Sequence, residues 1–411
     1  MPVRLYAERL PVQLGFSWYR ANPRDGLFDS KEQMKVLDDQ MCDVATRTTR
    51  GRLHGSVSED ELRIPFVRDI QRVKTSVLFQ RGNQKTQVFP YPKDPSVKNR
   101  MTHQYEVGEI AWSLATHLRL NPYLARAGAL PHDVGHAPFG HAGEAVLDRM
   151  RRETYGLYFK HNIQSLVVID DIFRNCDTGQ LLDLTFEVRD TVVCHLGETS
   201  ETEVVPYGAL PDERANPKPL DLAELKRGDK VRLEDHRIFY PCTLEGCLVR
   251  VSDRISSVAR DPEDAVRHNL ISWASIPQIA KDVFRDGYGN VNASSIIKTL
   301  ITSVIENSWD PYHHTIYSIK FGDREARAMK ALYNFNFEQI YRHPTLVRDF
   351  LGFVPHYIET LYHHYTACDD NPLKRPMTPQ EAIDVIAYMT DREVMEEMLR
   401  LKQVSDIKSI L

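Results

Sequence analysis

No run of about 18 apolar residues occurs anywhere in the 411-residue chain, so no segment reads as a membrane-spanning helix. The opening residues, MPVRLYAERLPVQLGF, lack the apolar core of a secretory leader. The six cysteines (Cys42, Cys176, Cys194, Cys242, Cys247 and Cys368) form no CxxC pair, which leaves free thiols in a reducing, cytoplasmic setting as the expectation. An excess of one charge is missing too. Fifty-two Lys and Arg stand against 57 Asp and Glu, a net charge of −5, which argues against a surface built mainly to coat nucleic acid. Internal repeats and low-complexity tracts are absent. With 42% hydrophobic and 27% charged residues, wholesale disorder is excluded as well.

What is present is helical periodicity. Phe66, Ile70, Val73 and Val77 recur at spacings of three and four after Pro65. A Gly-Asn break at 82–83 and a short extended piece, KTQVFPYP, follow. Residues 102–118 form an amphipathic helix, with Val107, Ile110, Ala111, Leu114, Ala115 and Leu118 on one face and Thr102 as its cap. Asn121-Pro122 supplies a cap and first-turn proline for YLARAGAL, whose small residues suit close helix packing. A loop, HDVGHAPFG, leads to a further helix, HAGEAVLDRMRRE, and residues 162–196 read as two more. Residues 197–242 are turn-rich, with a hairpin-like stretch LKRGDKVRLEDHRIFY. Helical pattern resumes at Leu244 and dominates to the end. Convincing strands are few, so the fold class is mainly α. The expected division is an N-terminal segment 1–64, a catalytic core 65–270 with an insert at about 197–242, and a helical region 271–411 completing the same unit.

One local anomaly points to chemistry. Of 16 histidines, His103, His117, His132, His136, His141 and His161 fall within residues 103–161, where even spreading would place about two. His132-Asp133 sits between a tightly packed helix and a glycine-containing loop, where adjacent side chains can turn toward one ion. His136 lies four residues on, and His141 and Glu144 share one helical face. Imidazole with carboxylate and no thiolate suits a borderline or hard divalent metal: Mn, Fe, Co, Ni, Zn or Mg. A lone His-Asp pair reads first as a helix-end cap, and the metal reading comes from the cluster around it. His117 lies on the opposite face of its helix and reads as structural, and His195 has no assignable role.

Arg100-Met-Thr-His103-x-x-Glu106-Val, followed by His132-Asp133-Val-Gly-His136-Ala-Pro-Phe-Gly-His141-Ala-Gly-Glu144, resembles the HD-domain deoxynucleoside triphosphate triphosphohydrolases, the dGTPase-like family. Residues 76–89, Phe159-Lys-His161-Asn162-x-Gln164-Ser165, Leu244-Glu245 with Ser252-Asp253-Arg-Ile and Asp261-Pro-Glu-Asp264, and Ile386-Ala-Tyr-Met-Thr-Asp391-Arg392 extend the likeness from about 65 to 400. The resemblance implies an HD-domain helical fold with a helical C-terminal extension. It also supplies a fourth metal ligand, giving His103, His132, Asp133 and Asp253 around one divalent ion. Two imidazoles and two carboxylates leave coordination positions for water and a phosphate oxygen.

The implied reaction is hydrolysis of a dNTP, with dGTP among the candidates, to deoxynucleoside and inorganic triphosphate by attack of water on the α-phosphorus. The resemblance casts His141 as the catalytic histidine with Glu144 as its carboxylate partner, and places His136 and His161 against phosphate. A structural role for His161 competes with that reading. Arg100 and Lys85 are phosphate or framework candidates, while Gln87, Asn162 and Arg392 are candidate substrate contacts. The family commonly forms oligomers, so a homo-oligomer, up to a hexamer, with nucleotide effectors is implied. Single-stranded DNA binding is known in the family but draws no support from the net charge. The chain departs from the pattern at Ser257, where an aromatic is usual, and at Tyr388, Pro131, Gln80 and Gly82, which opens the question of nucleotide preference. The competing readings are a mono- or cyclic-nucleotide hydrolase of the same fold, and a nucleotide sensor with vestigial catalysis.

Overall fold

The computed structural model describes residues 30–48, 63–90, 96–172, 181–196, 202–207 and 240–410. The hairpin-like part of the insert lies outside them. The described chain is mostly helical. A helix α1 (Ser30–Gln40) precedes α2 (Pro65–Thr75) and the short α3 (Val77–Gln80). The expected break at 82–83 is instead a tight 3-10 turn, Arg81–Gln84, that carries the chain into an extended stretch.

The site is framed by α4 (Arg100–His117), α5 (Pro122–Ala129), α6 (His141–Tyr155), α7 (His161–Val167), α8 (Phe186–Cys194) and α9 (Leu244–Arg267). Sequence places a cap for α4 at Thr102, but the helix begins two residues earlier. Asn99 is the cap, accepting from the Thr102 N–H, while the Thr102 hydroxyl oxygen accepts from the Asn99 N–H in a reciprocal box. Asn121 caps α5 by accepting from Tyr123 and Leu124, and Pro122 takes the first position, where no N–H is needed. Pro131 costs nothing, because α5 has already ended at Ala129.

The main core joins α4, α5 and α9 to α10 (Gln278–Phe284), α11 (Ala293–Ser308) and α12 (Asp323–Asn336) through Leu114, Leu248, Ile255, Leu300 and Leu332, all fully buried. Truncating one such leucine to alanine costs about 2–5 kcal/mol. Met41, Cys42 and Ala45 belong to this core. They are held there by Glu245, which accepts from Thr46 N–H, Thr46 Oγ1 and Asn121 N–H. Against the other side of α5 lies α8, so closely that a Cβ on Gly128 would stand 2.5 Å from the Thr191 side chain. The one described sheet is a two-residue antiparallel pair, β1 (Glu203–Val204) with β2 (Ile319–Lys320).

A second core roofs α6 with α13 (Val354–Ala367), α14 (Pro379–Tyr388) and α15 (Asp391–Ile410), packing Phe139, Leu147 and Phe159 against Ile358, Leu361 and Ile386. Among the described residues, no helix is long and apolar enough to cross a membrane.

Candidate metal-dependent active site

Five elements converge on one cluster. The fourth residue of α4 is His103, the loop after α5 carries His132, Asp133 and His136, α6 opens on His141, α7 opens on His161, and Asp253 comes from the middle of α9. The loop is pressed against α7. A Cβ on Gly135 would lie 2.0 Å from the Ser165 nitrogen, so only glycine permits this approach. Ser165 Oγ accepts from the Gly135 N–H and donates to the His132 carbonyl, both at 2.9 Å, which fixes the loop at its first histidine.

The donor set fits a divalent ion. His132 Nδ1 lies 2.6 Å from the Ala129 carbonyl, which can only accept, so the ring proton sits on Nδ1. Its Nε2 is therefore a bare lone pair, buried and without a hydrogen-bond partner. An unsatisfied buried acceptor is costly unless a cation completes it. His103 also has its Nδ1 side taken by a neighbour. Ser256 Oγ donates to Glu106 and stands 3.3 Å from His103 Nδ1, so it accepts there and leaves His103 Nε2 facing Asp253 Oδ1 at 2.9 Å. His132 Nε2 is 3.6 Å from Asp133 Oδ2 and 3.9 Å from Asp253 Oδ1. Ligands about 2.1 Å from a shared ion stand roughly 3.0 Å apart at right angles and 4.2 Å apart across it, which brackets these separations.

Electrostatics hold the donors in ligating form. Burial pushes the His132 imidazole down to about 4, against the pull of Asp133. Burial alone would raise the Asp133 carboxyl, but the Arg100 guanidinium and His132 hold it well below the usual range. Asp253 is likewise lowered, with burial opposed chiefly by His103.

Beside the donor set, His136, His141, His161 and His195 line the adjoining cavity. The His136 and His161 rings stack at 4.2 Å, with His141 edge-on to His136 at 4.9 Å. Glu144 Oε2 accepts from His141 Nδ1 at 3.1 Å and from His161 Nδ1 at 3.0 Å, and Oε1 accepts from the His161 N–H. Glu144 thus orients two histidines rather than the one that sequence spacing suggests. Burial would raise its carboxyl, but His161 and His141 keep it well below its ordinary value. Burial and the Arg100 charge drive His136 far down, so its ring is neutral.

The cavity measures about 760 Å³ and runs from these groups to an apolar wall that includes Tyr333, Phe337, Leu346 and Leu351. Arg100 lines it and grips both Asp133 and the Thr86 carbonyl. Gln87 lines it with a buried Oε1 that has no protein partner. Ser257 is in the wall too.

Three candidate substrate contacts stand elsewhere. Lys85 is buried beneath the loop, donating to the carbonyls of His136 and Ala387, with no cavity exposure because those oxygens consume its donors. Asn162 donates to the Val193 carbonyl and joins α7 to α8. Arg392 lies on the surface, paired with Glu396. His117 is exposed and bonded to its own helix. Tyr388 stacks under the Arg81 guanidinium, 4.1 Å away, also outside this cavity.

Sequence reasoning missed several lining residues. Arg149 shares a face of α6 with His141 at i+8, a spacing that could have revealed it. Tyr333, Phe337 and Tyr341 recur every fourth residue, an aromatic stripe that reads equally well as core. Arg254 and Asp261 flank the cavity from α9. His195, left without a role, closes α8 and points its Nε2 at Asp133 Oδ1, 3.4 Å away.

Residues 100–257 match the HD domain family. Three relatives carry the name deoxyguanosinetriphosphate triphosphohydrolase-like protein. The one from Desulfatibacillum aliphaticivorans is 30% identical over 344 residues, covering 80% of this chain and 85% of its own. That from Caldanaerobacter subterraneus is 29% identical, covering 87% and 90%. That from Brucella ovis is 32% identical, covering 73% and 77%.

The chain belongs to the deoxyguanosinetriphosphate triphosphohydrolase-like family.

Membership makes it an HD-domain, metal-dependent phosphohydrolase; HD domains bind divalent metals, and its His/Asp cluster could hold one.

Proposed function

We propose that this protein hydrolyses deoxynucleoside triphosphates to deoxynucleoside and inorganic triphosphate, with dGTP among its substrates. The observation that carries the reading is the composition of one cavity. Metal-type donors and four further imidazoles occupy one end and an aromatic and aliphatic wall occupies the other, which suits a polyphosphate joined to a planar base.

His103, His132, Asp133 and Asp253 would hold one divalent ion, which when bound polarises the α-phosphate and lowers the pKa of water. The remaining work falls to the chain's own groups. Glu144 ties down the Nδ1 hydrogen of His141, so Nε2 is the nitrogen that exchanges a proton with the reacting oxygens. Water oxygen bonds to the α-phosphorus and gives up a proton, the bond from that phosphorus to the 5′-oxygen breaks, and His141 Nε2, which takes up that proton, passes it to the 5′-oxygen to complete the nucleoside hydroxyl. Neutral His136 and the Arg100 and Arg149 cations line the path of a chain bearing about four negative charges. The unpartnered Gln87 Oε1 offers an acceptor to a sugar or base donor.

The test is product analysis with each of the four dNTPs, under Mn²⁺ and under Mg²⁺, alone and in mixtures. Deoxynucleoside plus triphosphate is expected. Monophosphate with pyrophosphate, or orthophosphate alone, would refute the reading.

A further inference from the structure

Glu106 belongs to the motif Arg100-Met-Thr-His103-x-x-Glu106, yet it is neither one of the metal-type donors nor part of the cavity lining. What it touches gives it a task. It follows His103 by one turn of α4, as Ser256 follows Asp253 by one turn of α9, so the two helices meet twice: ligand to ligand, and Glu106 to Ser256. Ser256 Oγ donates to Glu106 Oε2 at 2.9 Å and stands 3.3 Å from His103 Nδ1. Two cations pin the carboxylate. Lys98 Nζ pairs with Oε2, and Arg260 Nε donates to Oε1 at 2.8 Å. An ionised carboxylate only accepts, and a hydroxyl has one hydrogen to give. With that hydrogen committed to Glu106, Ser256 can only accept from His103. The ring hydrogen is thereby placed on Nδ1, and the Nε2 lone pair is left for an ion.

We propose that Glu106, acting through Ser256, is a positioning residue that locks His103 in its metal-binding form. The competing arrangement is close at hand, because His103 Nε2 lies 2.9 Å from Asp253 Oδ1. A serine hydrogen that was free would turn to His103 Nδ1, the ring hydrogen would move to Nε2, and Nε2 would donate to Asp253. Two metal ligands would then bond each other instead of an ion. Burial makes the choice sharp: Ser256 is fully buried and His103 nearly so, and solvent does not compete for the hydrogen. His132 needs no such lock, since its Nδ1 hydrogen goes straight to a backbone carbonyl, which cannot donate. A serine hydroxyl can face either way, and Glu106 removes that freedom. Groups placed behind a ligating imidazole in this manner are worth about 10–100-fold in metal affinity.

The inference rests on the reading of His103 and Asp253 as metal ligands, and the experiment separates the two. Mn²⁺ is titrated into the purified full chain, into Ser256→Ala, into Glu106→Gln and into the double variant, and the dissociation constant is measured for each. In Glu106→Gln the amide oxygen stays with Arg260 and the NH₂ donor faces Ser256, which frees the serine hydrogen for His103. Each single variant is expected to bind Mn²⁺ about 10–100-fold more weakly than the wild type. The double variant is expected to bind no more weakly than the weaker single, because both changes cut one chain of hydrogen bonds. A wild type that binds no Mn²⁺ overturns the ligand reading and the lock together. Wild-type affinity in Ser256→Ala overturns the lock and leaves the ligands standing. So does a double variant whose losses multiply, since Glu106 would then act by a route other than Ser256. Should Glu106→Gln fail to fold, the Ser256→Ala affinity decides.

Discussion

What each imidazole in this site can do is set by where its Nδ1 hydrogen goes. His132 gives it to the Ala129 carbonyl and is left with a lone pair on Nε2, whereas His141 gives it to a carboxylate and, in the proposed reaction, exchanges a proton through Nε2. Removal of His141 leaves the ion-binding donors in place, because His132 is held by the Ala129 carbonyl and Asp133 by Arg100. His141→Ala should therefore cut kcat by about 10²–10⁴-fold, with Mn²⁺ content unchanged by elemental analysis. Loss of metal together with activity would show that His141 serves the metal instead. Glu144→Gln tests the shared orienting group. Its amide offers one acceptor oxygen where two Nδ1 hydrogens now compete for a charged carboxylate, a difference of about 1.5–3 kcal/mol. A kcat lower by roughly 10–100-fold at pH 7 follows, and a fall of less than twofold would mean that His141 needs no partner.

At the scale of the element, the decisive contact is the loop of residues 130–140 lying on the first turns of α7. Gly135 lets the two backbones meet, and Ser165 ties the loop on both sides of that contact. Gly135→Ala must push the loop away by more than a side-chain adjustment, because the obstacle is the backbone of Ser165. It should lower the melting temperature, with a cost of about 1–3 kcal/mol, and weaken Mn²⁺ binding in the same titration. Unchanged affinity would show that the loop can shift without moving His132 and Asp133. Much of this element was readable in sequence. His132, Asp133, His136, His141 and Glu144 lie within 13 residues, so a helix, a short loop and a helix suffice to bring them together. Asp253 is 120 residues beyond Asp133, and its place as a candidate ligand came from resemblance, since no local periodicity reports a long-range meeting. His195 gave no signal at all. It stands alone at the end of a short buried helix, and its meaning depends on α8 packing against α5 at Gly128.

Across the whole molecule, the C-terminal helices hold the active-site loop from behind. Asp391, which sequence reading passed over in favour of its neighbour Arg392, accepts from the Thr86 N–H and hydroxyl and from the Phe139 N–H, and so bolts the start of α15 to both sides of the loop. Lys85 completes this junction by donating to the His136 and Ala387 carbonyls. A neutral amine has two hydrogens to give, and two carbonyls receive them, which accords with an ammonium pushed down to about 7, first by burial and then by the Arg81 charge. The unfolded lysine keeps its proton to about pH 10.4. Between those values the unfolded chain binds the extra proton, so folding stability gains on the order of 1 kcal/mol per pH unit as pH rises, and that gain is lost as pH falls through 7. Lys85→Met removes the titration and leaves two carbonyls unpaired, a cost of about 1–3 kcal/mol for each buried group. Melting temperatures at pH 7 and pH 9.5 should therefore show the wild type above the variant at both, with the gap wider at pH 9.5. A gap that stays constant or narrows would mean that Lys85 remains charged in the folded protein, and that the junction between loop and C-terminal helices is held by an ammonium.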